Sequence, residues 1–168
     1  MASMEVPCRV GARLRAVVQR ATGRLLVLPE ESTDRSPAPG KWSPREVLGH
    51  LIDSASNNHQ RFVRAQMQED MVFAGYPQDD WVAAQRYGTA PWMDLVTLWK
   101  TFNLHLARVM EVAPADARLR ERSRHNLHEI AWATVASNDV VTLEFFMNDY
   151  VDHLEHHLAQ IFGREDPS

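Results

Sequence analysis

Apolar residues recur along this chain at spacings of three and four in four separate windows, and no window shows the sustained period-two alternation of a half-buried strand. The pattern predicts an all-α protein. The first window runs from about Arg9 to Leu28 and places Val10, Leu14, Val17, Ala21, Leu25 and Leu28 on one side. Pro29 and the polar, proline-containing stretch to Gly40 end it.

The second helix has the clearest start in the sequence. In KWSPREVLGHLIDS, Ser43 can cap, Pro44 suits the first helical position, and Glu46 stands where a capping box needs it. This helix is predicted to run to about Gln68. The third opens at Pro91, carries a seam of Trp92, Leu95, Trp99, Phe102, Leu106 and Val109, and closes before Pro114. The fourth begins near Thr142 and ends at Gly163, a residue suited to a C-terminal cap.

The connection from Gln68 to Ala90 is long for neighbouring antiparallel helices and contains a short helical stretch at Asp79 to Arg86. The expected architecture is therefore a four-helix bundle, up-down-down-up, with a long crossover between helices two and three. The segment from Ala113 to Val141 is polar apart from an AWATVA island and predicts no definite element.

At 168 residues the chain is expected to form one domain, 1–168, with a core that needs no disulfide or structural metal. A metal site would then serve function. The single cysteine, Cys8, excludes an intramolecular disulfide and a cysteine-based zinc cluster and fits a reducing compartment. No stretch reads as a signal peptide or a membrane span, so a cytoplasmic location and no membrane partner are expected. A net charge of -4 with scattered basic residues predicts no nucleic-acid partner.

Eight histidines change the picture, because three of them crowd NDYVDHLEHHLAQIFG. Each helical residue advances by about 100°, so His153 and His157 lie about 40° apart while His156 points away. Leu143, Met147, Tyr150, Leu154, Leu158 and Ile161 define the buried stripe, with His157 at its edge. An HxxxH pair lets two imidazoles converge on one ion, and it is equally the pattern of a solvated pair on a helix flank.

His50 is the natural candidate for a third ligand, although His59 lies closer to the apolar side of the same helix. His50 shares a polar strip with Ser54, Asn57 and Arg61 beside the apolar side of Val47, Leu51, Ala55 and Phe62. Such a strip borders either a wet cavity between helices or open solvent, and periodicity does not separate the two.

Taken together and in order, WSPREVLGHLIDS and DHLEHHLAQI resemble the DinB-like superfamily with its YfiT-like metal-dependent members, over nearly the whole chain. The resemblance implies a nickel or zinc ion held by His50, His153 and His157 in an open three-histidine site. It further implies a metal-activated nucleophile acting on a small-molecule substrate, with thiol S-transferases of the bacillithiol or mycothiol type favoured. A metal-dependent hydrolase and a non-catalytic, stress-associated metal-binding scaffold are the alternatives, and homodimers are expected from the same resemblance.

Other side chains on these faces carry expected roles. Arg61 suits an anionic group of substrate or cofactor, and Asn57 a hydrogen bond between it and His50. Tyr150 could donate a proton, and Asp53 and Asp149 could orient imidazoles. A structural bundle with satisfied histidines is the remaining alternative.

Overall fold

The computed structural model describes residues 8–163. Four long helices carry the fold: α1 (Arg9–Leu26), α3 (Pro44–Ala65), α5 (Trp92–Val112) and α8 (Leu143–Phe162). Between them lie the short helices α2 (Glu30–Thr33), α4 (Gln78–Gln85), α6 (Ala115–Leu119) and α7 (Leu127–Ile130), and a 3₁₀ turn at Tyr87–Thr89. No strand occurs among the described residues, only isolated bridges pairing Met71 with His125 and Arg122 with Val141.

The helix ends follow from local chemistry. At α3 the Ser43 hydroxyl accepts from the Glu46 N–H at 3.3 Å, and the Glu46 carboxylate accepts from the Ser43 N–H at 2.8 Å. At α8 the Thr142 hydroxyl accepts from the Phe145 N–H at 3.1 Å, and Gly163 terminates the helix at φ 78°. Two helices stop short of the expected Leu28 and Gln68. Pro29 disfavours a helical conformation in the residue before it, and α1 ends at Leu26. The buried Arg122 guanidinium donates to the Ala65 carbonyl at 2.7 Å, which satisfies the C-terminal end of α3 where it stands.

Helix directions can be read from paired contacts. Arg13 reaches Asp152 and Arg24 covers the Phe162 ring, so α1 and α8 run parallel. Arg15 pairs with Glu111 while the Trp92 indole donates to the Leu25 carbonyl, so α5 opposes α1. Arg45 bonds the Ala90 carbonyl and His59 meets His105, so α3 and α5 are parallel. Phe62 meets Phe146 and His50 meets His153, so α3 opposes α8. This is the expected up-down-down-up bundle. Because α1 and α3 each pack on α5 and α8, the consecutive helices α1 and α3 lie across a diagonal.

Leu14, Leu48, Phe62, Trp99, Leu106, Met110 and Leu154 fill the centre with essentially no exposure, each contributing about 1.5–3 kcal/mol by leaving water. Among the ties that fasten the crossover of residues 66–91, two bear on the position of α3 and the segment around Asn126. The Asn126 side chain bonds both the N–H and the carbonyl of Phe73, at 3.0 and 2.8 Å. The Tyr87 ring lies on Gly49, where any β-carbon would collide with it. That contact fixes the turn of α3 that carries His50.

Candidate metal centre

Antiparallel packing of α3 on α8 brings the second turn of α3 beside the third and fourth turns of α8. His50 is fully buried, His157 nearly so and His153 half-buried. The His50 and His153 Nε2 atoms are 3.2 Å apart, and one ring nitrogen from each of His50, His153 and His157 lies within 4.8 Å of the others. The polar strip of α3 therefore faces α8 rather than solvent at His50. His156 stays on the exposed side.

These residues fit a divalent ion. Zinc–imidazole bonds of about 2.0–2.1 Å in a tetrahedron separate the ligand nitrogens by about 3.3 Å, close to the His50–His153 spacing. Burial, then His157, lowers the His50 pKa from 6.5 to about 4. Burial, followed by His157, His50 and His156, lowers that of His153 to about 3. His157 is lowered by burial against an opposing hydrogen bond from Gln160. All three are then neutral at pH 7, the form that ligates. With Gln160 Oε1 at 2.8 Å accepting from the His157 Nδ1–H, the Nε2 lone pair is left for an ion.

Two indoles flank the triad. Trp42 lies 4.9 Å from the His50 ring, and Trp132 lies 5.5 Å from His153 and 4.5 Å from His156. Trp132 is held there by Asp149, whose two oxygens accept from the Trp132 and Ala133 N–H groups at 2.8 and 2.7 Å. Asp53 accepts from the Gln85 amide and the Tyr87 hydroxyl, both at 2.8 Å. Neither carboxylate bonds an imidazole as expected from the sequence: Asp53 receives Gln85 of α4 and Tyr87 of the 3₁₀ turn, both on Oδ1, and both Asp149 oxygens are taken by backbone N–H groups of the segment after α7. Burial raises the pKa of both.

A cavity of about 320 Å³ opens beside His153 and His157, and Arg61 and Tyr150 line it as well. Tyr150 is fully buried and its hydroxyl donates to Asn103 Oδ1 at 2.5 Å, so that proton is already engaged across the bundle. Arg61 is also buried, donating to the Ala74 carbonyl at 2.8 Å and to Asn58 Oδ1 at 3.4 Å.

Asn57 is not brought into this cavity. Its amide bonds the Asp53 carbonyl of its own helix at 2.9 Å, and it lines a neighbouring groove against the crossover; Asn58 takes the place expected for it. Relative to His50, Ser54 and Asn58 lie about 40° and 80° around the helix toward α8, whereas Asn57 lies about 20° the other way. Trp132, Tyr76 and Gln160 were not reached by sequence reasoning. The AWATVA island was the signal for Trp132, but without periodicity it names no partner.

The pattern described as the DinB superfamily matches residues 13–161. YfiT of Bacillus subtilis (strain 168), described as a probable metal-dependent hydrolase, is 23% identical over 152 residues, covering 90% of this chain and 76% of YfiT. Its solved structure, described as having an unusual four-helix bundle topology, superposes with a TM-score of 0.72 at 19% identity, covering 96% of this chain and 89% of that one. The mycothiol-dependent maleylpyruvate isomerase superposes with a TM-score of 0.63 at 14% identity, covering 91% of this chain and 60% of that one.

Proposed function

The chain belongs to the DinB superfamily, and from that premise we propose that it is a metal-dependent enzyme in which His50, His153 and His157 hold zinc or nickel. The observation that carries this reading is the convergence of three neutral imidazoles, within 4.8 Å of one another, two of which, His153 and His157, line an open cavity. A divalent ion bound there supplies Lewis acidity, lowering the pKa of a nucleophile beside it. The chain's own residues do the rest: Gln160 fixes the His157 tautomer, Trp42 and Trp132 shield the imidazoles from bulk water, and Asp149 keeps Trp132 in place.

Hydrolysis with water as nucleophile is the first reading, in line with the description of YfiT. The cavity supports it, because about 320 Å³ is at the small end of ligand sites and encloses a small substrate without a large second molecule. The second reading uses a low-molecular-weight thiol of the bacillithiol or mycothiol type. It is favoured by the half-exposed Trp132 at the mouth, where such a cofactor could lie, and by the likeness to a mycothiol-dependent protein.

Elemental analysis of untagged protein tests the site. Near-stoichiometric nickel or zinc in the wild type, lost in His50→Ala, His153→Ala and His157→Ala but kept in His156→Ala, is the expected result. No metal after reconstitution with divalent ions overturns it. Assays of ester and amide cleavage, beside thiol consumption with an electrophile, then separate the two readings.

A further inference from the structure

The cavity holds a second feature, away from the triad. Arg61 is 5% exposed, lies on α3 and has no ion pair among the described residues. Other buried arginines are answered. Arg118 pairs with Glu144, and Arg122 donates to the carbonyls of Ala65 at the end of α3, Ala117 in α6 and Arg120 just after it. Arg61 has one carbonyl and one distant amide oxygen. A guanidinium keeps its charge even where burial lowers its pKa, as it does here, so the charge stands beside an open cavity with no direct ion pair among the described residues.

We infer that Arg61 is the recognition group for the carboxylate end of a small, singly charged and otherwise apolar substrate. This rests on the reading that the reaction takes place at the triad. Around the guanidinium, Ser54, Asn58 and Tyr76 offer neutral polar atoms, and burial pushes the Tyr76 phenol up to about 12, so it stays a donor. Phe146, Ile130 and Trp132 form the apolar part of the cavity wall, with Trp132 beside the histidines. Asn58, against which the guanidinium sits, is eight residues from His50, about 12 Å along the axis, so the substrate is elongated.

Charge count sets the class. Among the described residues Arg61 is the only lysine or arginine lining the cavity, while Glu129 and Asp149 line it too. One fork-shaped cation matches one carboxylate, and two nearby carboxylates oppose a second negative charge. A phosphate dianion is therefore disfavoured.

Thermal-shift and calorimetric titrations with hexanoate, hexanamide and inorganic phosphate test this on the purified protein. Saturable binding of hexanoate, with neither of the others bound, is expected. Arg61→Lys keeps the charge and loses the fork, and should weaken hexanoate at least tenfold. Asn58→Ala, which frees the guanidinium, should weaken it several-fold and serves if the lysine variant does not fold. His153→Ala should retain the preference. Equal binding of hexanamide or phosphate, hexanoate binding unchanged in Arg61→Lys, or its loss in His153→Ala overturns the assignment. Discrimination in protein that takes up no metal on reconstitution supports Arg61 while removing the metal reading; stoichiometric metal with no hexanoate binding does the reverse.

Discussion

Asp149 grips the backbone of Trp132: one carboxylate oxygen accepts the Trp132 N–H at 2.8 Å and the other the Ala133 N–H at 2.7 Å, from a position one turn before His153. A residue of the helix that carries His153 thereby sets the indole that covers that imidazole. Asp149→Ala leaves two backbone donors without partners. Each such loss costs about 1–3 kcal/mol, so urea denaturation should report destabilisation in that range or above. The Trp132 emission should shift to the red as the indole gains water. An unchanged unfolding midpoint would show that the loop holds itself.

Gly49 precedes His50 and receives the Tyr87 ring. Gly49→Ala gains helix propensity but forces the ring or the helix aside, and overpacking of this kind costs about 1–3 kcal/mol. The variant should be less stable than wild type and bind metal more weakly, as read by unfolding and by competition with a chelator. A stability gain of the size expected for an exposed helical glycine would show that Tyr87 yields freely.

The helices and the facing of His153 with His157 could be read in advance because they rest on local rules. Ser43, Pro44 and Glu46 announce α3 within four residues, and the His153–His157 spacing follows from helical pitch. His50 could not be assigned by periodicity alone, since the direction of its polar strip depends on where α8 packs. Asn57 and Asn58 differ by one residue, and only the packing decides which enters the cavity. Asp149 was misread for a related reason: its partners lie in a loop without periodicity, and hydrogen bonds to backbone N–H leave no mark in sequence.

Gln160 holds the His157 ring through Nδ1 at 2.8 Å and is itself exposed. Gln160→Ala should leave the unfolding midpoint nearly unchanged and weaken metal binding by roughly ten- to hundredfold, the usual range for such support. Chelator competition measures it. An unaltered affinity would mean that the ring is positioned by packing alone.

The buried imidazoles also set a pH window. Their folded pKa values, about 4 for His50 and about 3 for His153, lie below the ordinary 6.5, so across that interval the unfolded chain binds protons that the folded chain does not. Stability then rises with pH over the window: it is fully present above 6.5 and is lost as pH falls toward 4. Urea midpoints of metal-free protein should decline from pH 7 to pH 5, and His153→Gln should flatten the decline. A midpoint independent of pH in that range would count against neutral, buried histidines.

His50 and His153 are separated by 103 residues, and they meet only when α8 lies against α3. During synthesis the chain therefore emerges with one imidazole of the triad long before the other two, and α1, α3 and α5 can associate while no ion is held by all three. On the proposed reading of the triad, loading becomes the closing event of assembly. An ion seated on all three imidazoles certifies that the last helix has docked, so truncation or misdocking of α8 leaves the protein empty whatever the metal supply.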